Sequence, residues 1–188
     1  MLTSARLRAL HNAVRRVVKE GVPGGIVECG TAAGGSAAMM ALTLKELGDG
    51  RDVWLFDTFE GLPAPTEHDP DEAHQFTGEF RADLARVRNT FAGFGLSAHF
   101  VKGFFRDTLP SSETGRIAVL HVDGDWYESV KDCLVHLYDR VSPGGIIQFD
   151  DYGHWEGARK AVDEFMRNHR ISSPLRYVDY SARQLVKP

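Results

Sequence analysis

The sequence reads IAVLHVDGD over residues 117–125 and GIIQFDDYG over residues 145–153. In each stretch, an apolar run typical of a buried parallel strand ends in aspartates. The carboxyl ends of parallel strands meet along one edge of an open α/β sheet, where the ligand crevice lies. The aspartates expected to converge at this edge are Asp123, Asp125, Asp150 and Asp151. An alternative role for Asp123 and Asp125 is to cap the helix that follows, and among the four this alternative fits Asp125 best. Clustered carboxylates repel one another unless a cation lies between them, and their hard oxygens suit Mg²⁺ or a similar divalent cation.

Outside these two stretches, segments with strand and helix periodicity alternate along the chain. The strands are predicted at residues 26–29, 53–56, 98–101, 117–122 and 145–149. The helices are predicted at residues 2–18, 36–47, 79–94, 126–141 and 155–169. Two short strand-like runs within residues 175–186 suggest a closing antiparallel hairpin. The pattern predicts an α/β fold, in which helices cover both faces of a mostly parallel seven-stranded sheet.

Composition narrows the classes of protein that fit. The length of 188 residues suits a single domain over residues 1–188, with an N-terminal helical segment over residues 1–22. A net charge of -4 without a basic run gives no reason to expect nucleic acid. Cys29 and Cys133 lie in apolar segments and are predicted to be reduced. No segment resembles a signal peptide or a membrane span, so we predict a cytoplasmic protein without membrane contact.

Residues 58–78 form the one long segment without periodicity. They contain three prolines, two histidines and five acidic residues. Such a segment is too long and too polar for a simple connection, so it is either a functional loop or disordered. Because it leaves the second strand at its carboxyl end, we predict an active-site loop over the mouth of the crevice.

A glycine-rich turn follows the first strand, in the string VECGTAAGGS at residues 27–36. Small residues there let a ligand approach the backbone and the start of the next helix, although tight packing would also explain them. Asp57 closes the second strand, where a carboxylate can bind both hydroxyls of a ribose or act as a helix cap. The spacing G-x-G-x-x-G is absent, so these features favour S-adenosylmethionine over NAD.

Two histidines are candidates for the residue that accepts a proton during catalysis. His154 follows the second aspartate turn, and His121 lies two residues before Asp123 on the same side of the strand. A single histidine is more often structural or solvated than catalytic. We predict Asp123 and His154 as the catalytic residues, and water remains an alternative acceptor.

Several blocks of the sequence resemble the macrocin O-methyltransferase family, whose members are metal-dependent class I methyltransferases that modify sugar hydroxyls in antibiotic biosynthesis. The blocks occur in the family's order and span most of residues 26–165. They are VECGTAAGGS (27–36), VWLFDTFEGLPAP (53–65), VRNTFAGFGL (87–96), FVKGFFRDTLP (100–110), LHVDGDWYESV (120–130), LYDRVSPGGIIQFDDYG (137–153) and RKAVDEF (159–165).

The resemblance implies a Rossmann-like class I methyltransferase fold and a role for individual residues. For the cofactor, it implies Glu28, Gly30 and Ser36 at the methionine end, Asp57 and Phe59 at the ribose, and Gly103 and Phe104 at the adenine. For the metal, it implies Asp123, Asp150 and Asp151. The chain departs from the family in a shorter N-terminus, in His121 where arginine is frequent and in Phe104 where tryptophan is frequent.

The function implied by the resemblance is methyl transfer, dependent on S-adenosylmethionine and a divalent cation, to a sugar hydroxyl of a glycosylated secondary metabolite. The expected partner is this small-molecule acceptor, and the short N-terminus suggests a homo-oligomer in which a second subunit covers the substrate. One alternative is a catechol-type O-methyltransferase, although Trp126 stands where that class tends to keep a lysine. Two others are a non-catalytic cofactor-binding module and a dinucleotide-dependent oxidoreductase.

Overall fold

The computed structural model describes residues 2–188, so Met1 of the predicted segment 1–22 lies outside the described residues. The helices are α1 (Ser4–Lys19), α2 (Gly35–Glu46), α3 (Leu84–Gly93), α4 (Phe105–Thr108), α5 (Tyr127–Leu137) and α6 (Glu156–Asn168). The strands are β1 (Gly25–Cys29), β2 (Val53–Asp57), β3 (His99–Lys102), β4 (Ile117–Val122), β5 (Val141–Phe149), β6 (Arg176–Tyr177) and β7 (Arg183–Val186). Short 3-10 helices span Asp71–Phe76 and Tyr138–Arg140.

The strands form one seven-stranded sheet in the order β3-β2-β1-β4-β5-β7-β6. Strands β1 to β5 are parallel, whereas β7 runs antiparallel to β5 and pairs with β6 in a hairpin. This topology confirms the predicted Rossmann-like sheet. The chain proceeds from β1 to one side and returns at β4 to the other side. The carboxyl ends of these two strands therefore border the crevice in which α/β proteins bind ligands.

Helices cover both faces of the sheet, as alternate residues of β1 illustrate. The side chain of Ile26 belongs to a core cluster that includes residues of α1, α2 and α3. The next residue, Val27, belongs to a second cluster that includes residues of α5 and α6. Every residue of β1 is buried. A strand buried on both faces explains why its sequence is a continuous apolar run with one exception, Glu28.

Two of the predicted helices have different ends in the structure. Helix α3 begins only at Leu84, because the side chain of Asp83 caps it by accepting a hydrogen bond from the N–H of Ala85 at 2.8 Å. Helix α5 ends at Leu137, and β5 begins already at Val141. The string SPGG within β5 concealed this early start, because proline and glycine are typical of turns.

Residues 58–78 adopt a defined loop conformation that includes the 3-10 helix Asp71–Phe76. Its two ends are joined where the N–H of Leu62 donates to the carbonyl of Glu79 and the N–H of Gly78 donates to the carbonyl of Leu62, both at 2.9 Å. Ala73, within this 3-10 helix, is fully buried and belongs to a core cluster of the sheet. The loop is therefore packed against the sheet edge. Among the helices of residues 2–188, none combines the length and apolar character needed to cross a bilayer.

Candidate active site

The four aspartates converge as the sequence predicts. Backbone pairing continues past the strand ends, because the N–H of Asp123 donates to Cys29 at 2.8 Å and that of Asp150 donates to Val122 at 2.9 Å. This pairing sets the turn after β4 beside the turns after β1 and β5. Carboxylate oxygens of Asp123, Asp125 and Asp151 lie within 4.8 Å of one another. These three residues are called the acidic trio below.

The acidic trio is electrostatically unfavourable as it stands. Burial raises the pKa of Asp123 well above its usual value, and the charge of Asp150 raises it further. Burial and the charges of Asp125 and Asp123 do the same to the pKa of Asp151. Burial also raises the pKa of Asp125 to about 6, although a hydrogen bond from Trp155 opposes the shift. Bound protons or a bound cation would relieve this repulsion, and the all-oxygen donor set suits a divalent cation.

Asp150 differs from the trio because protein cations already hold its carboxylate. One oxygen accepts a hydrogen bond from the guanidinium of Arg6, and the other lies 3.3 Å from Nε2 of His121. Burial acts to raise the pKa of Asp150, but His121 and Arg6 outweigh it and lower that pKa. Of the predicted metal ligands, Asp123 and Asp151 therefore face each other in the trio, whereas Asp150 lies at its edge in an ion-pair network.

The same network includes a row of polar side chains inside the sheet. Glu28 of β1 is adjacent to His121 of β4, which is adjacent to Gln148 of β5. Nδ1 of His121 lies 2.9 Å from Oε1 of Glu28. Burial alone would lower the pKa of His121, but hydrogen bonds to Asp150 and Glu28 raise it well above its usual value. His121 is fully buried and is a satisfied core histidine, which was one of the two interpretations of the sequence.

Asp125 does not cap α5, although an aspartate just before a helix commonly does so. Its N–H donates to Oδ2 of Asp151 at 3.0 Å, and its Oδ1 accepts from the indole of Trp155 at 3.1 Å. The residue that accepts the N–H of Tyr127 at the start of α5 is Asp69, at 2.8 Å. Sequence reasoning missed Asp69 and Arg6 because their partners lie 58 and 144 residues away along the chain.

A cavity of about 650 Å³ opens in front of the acidic trio. On the side of the glycine-rich turn it is lined by Gly30, Thr31, Ser36, Asp57 and Phe104. Gly30 has a φ of +91°, and a Cβ there would lie 1.7 Å from the carbonyl oxygen of Asp123. Only glycine therefore allows the turn after β1 to approach the turn after β4 this closely.

Asp57 holds the backbone of the two turns on this side of the cavity. Its Oδ2 accepts hydrogen bonds from the N–H groups of Thr31 and Ala32 at 2.7 and 2.8 Å, and its Oδ1 accepts from Phe59 at 2.6 Å. The side chain of Phe59 is buried in the core. Of the residues predicted to contact the cofactor, Gly30, Ser36, Asp57 and Phe104 line the cavity, whereas Glu28, Phe59 and Gly103 are not part of its lining.

Two buried polar atoms near this side have no hydrogen-bond partner among the described residues. They are the hydroxyl oxygen of Thr31, in the lining of the cavity, and Oε2 of Glu28, at the end of β1. A buried polar atom without a partner is costly, and such atoms are usually satisfied by water or a ligand. These atoms are compatible with a polar ligand beside the turn.

Aromatic residues and one histidine form the opposite side of the cavity. The ring of His154 lies against Trp155, with centroids 4.7 Å apart. The backbone N–H of His154 donates to the carbonyl of Asp151 at 3.0 Å. Phe76, Phe80 and Tyr180 also line the cavity. Phe80 and Tyr180 are exposed at the mouth. The predicted catalytic residues, Asp123 and His154, therefore face one cavity.

Comparison with known proteins agrees with this geometry. The family model of macrocin O-methyltransferase (TylF) matches residues 1–185. The chain is 39% identical over 188 residues to the 8-demethyl-8-(2,3-dimethoxy-alpha-L-rhamnosyl)-tetracenomycin-C 4'-O-methyltransferase of Streptomyces olivaceus, covering 95% of this chain and 72% of that protein. It is 37% identical to the mycinamicin III 3''-O-methyltransferase of Micromonospora griseorubida, covering 95% and 74%. The solved structure of the O-methyltransferase NovP superposes with a TM-score of 0.93 at 32% identity, covering 97% of this chain and 79% of that one.

Proposed function

Because the chain belongs to the macrocin O-methyltransferase family, we propose that it transfers a methyl group from S-adenosylmethionine to a sugar hydroxyl of a glycosylated small molecule. A divalent cation such as Mg²⁺ binds at the acidic trio. One observation carries the proposal: three mutually repelling carboxylates face the same cavity as the glycine-rich turn and Asp57. This arrangement brings a cation site and a nucleoside site within reach of one substrate.

The cofactor side of the cavity suits S-adenosylmethionine, which supplies an activated methyl group when bound. The carboxylate of Asp57 would bind a ribose hydroxyl through Oδ1, which accepts the N–H of Phe59 and keeps a second lone pair, whereas Oδ2 already accepts two N–H groups. The unpartnered hydroxyl of Thr31 and the backbone around Gly30 would contact the methionine end. Phe104 is 42% exposed and offers a ring face for the adenine.

On the acceptor side, a divalent cation supplies Lewis acidity that orients a hydroxyl and lowers its pKa. The protein's own residues would hold the cation and the substrate. Asp123 and Asp151 are the proposed ligands, with Asp150 held beside them by Arg6. The aromatic residues Trp155 and Tyr180 would flank the acceptor and exclude water.

The proton that the hydroxyl loses needs an acceptor, and the site offers carboxylates and an imidazole beside water. Asp123 and His154 are the proposed acceptors from the sequence, and the geometry adds Asp125. Its Oδ1 accepts a hydrogen bond from the indole of Trp155 at 3.1 Å, which orients the carboxylate beside the proposed cation site.

The experiment that tests the function is transfer of a labelled methyl group from S-adenosylmethionine to rhamnosyl glycosides, with catechol as a second acceptor. We expect glycoside methylation that stops with chelator and returns with Mg²⁺ or Mn²⁺. Asp151→Asn should lose this activity, whereas Asp52→Asn should retain it, because Asp52 lies at the amino end of β2 with a 71% exposed side chain. Turnover of catechol alone, or turnover that resists chelation, would contradict the proposal.

A further inference from the structure

Asp69 belongs to the loop over residues 58–78, yet its carboxylate lies where two helices begin. Its Oδ1 accepts the N–H of Tyr127, in the first turn of α5, at 2.8 Å. The same oxygen would lie 1.9 Å from a Cβ at Gly157, in the first turn of α6. Its Oδ2 accepts from Thr66 of its own loop at 2.9 Å. Helix starts carry free N–H groups and partial positive charge, so they favour a carboxylate at this place.

Both helix starts follow directly on the aspartate turns. The chain runs from Asp125 through Trp126 into α5, and the indole of Trp126 donates to the loop carbonyl of Pro63 at 2.8 Å. Asp125 has a φ of +57°, a left-handed conformation that is uncommon for residues other than glycine but that aspartate adopts more readily than most. The loop therefore contacts the backbone that sets the position of Asp125.

The loop also reaches the turn that follows Asp151. The ring of Phe76 packs edge-on against Trp155, with centroids 5.5 Å apart. Trp155 in turn donates its indole N–H to Asp125 at 3.1 Å. One loop thus touches both segments that supply the acidic trio, with Asp69 at the point where α5 and α6 meet.

We propose that Asp69 is a positioning residue whose carboxylate bonds the loop to the start of α5 and packs against the start of α6, so that loop closure and cation binding at the acidic trio favour each other. The inference rests on the proposed function for its cation. Linkage requires the effect to be reciprocal, because a contact that stabilises the cation site in the closed state must also make the cation stabilise closure. A residue that only capped α5 would affect stability alone.

Three variants separate these two roles. Asp69→Ala removes the carboxylate. Gly157→Ala retains the carboxylate and displaces it, because the added methyl carbon occupies the position that Oδ1 reaches. Alanine also has the higher helix propensity, so this variant should fold even if Asp69→Ala does not. Asp83→Ala is the matched control, because it removes the cap that bonds Ala85 at 2.8 Å at the start of α3.

The first measurement is Mn²⁺ binding to the full chain by calorimetry. The second is protease cleavage within residues 58–80, mapped by mass spectrometry with and without Mn²⁺. We expect Asp69→Ala and Gly157→Ala to bind Mn²⁺ about fivefold more weakly, the factor that corresponds to one helix-cap interaction. Both should be cleaved faster in the loop and lose the protection that Mn²⁺ gives the wild type. Asp83→Ala should match the wild type in both measurements and differ only in melting temperature.

Unchanged Mn²⁺ affinity and unchanged loop protection in the two variants would overturn the inference and leave Asp69 as a cap. That result differs from a failure of the proposed function. A wild-type chain that does not bind Mn²⁺ contradicts the metal site and the linkage together, whereas normal binding with unaffected variants contradicts the linkage alone.

Discussion

Replacing His121 with leucine tests how much the buried ion-pair network stabilises the fold. The substitution removes the imidazolium between Oε1 of Glu28, at 2.9 Å, and Oδ1 of Asp150, at 3.3 Å. Asp150 keeps Arg6. Glu28 is fully buried, and its Oε2 already has no partner in the described structure. Removing one member of such a pair costs about 3–5 kcal/mol, which for a chain of this length lowers the melting temperature by roughly 6–20 °C.

The measurement is denaturant unfolding and calorimetry of His121→Leu, of Glu28→Leu and of the double variant. The double variant should lose less stability than the sum of the two single variants, because no buried charge is left without its partner. The loss should also shrink at alkaline pH. The pKa of His121 is raised in the folded chain, so its contribution is full below the unfolded value of about 6.5 and disappears as the pH rises through the raised value. Additive losses in the double variant would refute the reasoning.

Three further predictions concern the cavity. Gly30→Ala should abolish S-adenosylhomocysteine binding in a thermal-shift titration, because its Cβ would lie 1.7 Å from a backbone oxygen, whereas Gly35→Ala has open space at its Cβ and should keep the fold. Asp57→Asn replaces one carboxylate oxygen with an amide NH₂ group, which cannot accept the backbone N–H groups that the oxygen accepts in the wild type. Calorimetry should therefore show cofactor binding weakened about 10- to 100-fold. In chelator, the melting temperature should rise as the pH falls from about 8 to about 5.5, since folding raises the pKa values of the acidic trio and the folded chain takes up protons. Saturating Mg²⁺ should weaken this slope, and a chelated protein that becomes more stable with rising pH contradicts it.

The sheet and the convergence of aspartates were predictable because both follow from local patterns combined with one topological rule. Apolar runs fix the strands, and the carboxyl ends of parallel strands share one edge. Asp123 and Asp150 therefore had to lie close together. Asp57 was predictable for the same reason, because it closes the strand next to the glycine-rich turn.

The roles of the neighbouring residues were not predictable, because they depend on contacts between distant parts of the chain. An aspartate before a helix is a local signal for a cap, and for Asp125 this alternative is wrong. In the folded chain Asp69 bonds the start of α5, and Trp155 holds Asp125 toward the cavity. In the sequence, Arg6 is one of several basic residues on a predicted helix. Its pairing with Asp150 becomes visible only when α1 packs on the sheet.

The distribution of charge indicates which carboxylates need an external cation. Two buried cationic groups, Arg6 and His121, pair with Glu28 and Asp150, so this half of the site is balanced by the protein itself. Within residues 2–188, no ion pair is found for a carboxylate of the acidic trio. The pKa of Asp150 is lowered because Arg6 and His121 contact it directly, whereas burial and neighbouring carboxylates raise the pKa values of the trio more than these two cations lower them. The unbalanced half is the one that faces the cavity, so a divalent cation there would offset the repulsion and meet the acceptor in the same place.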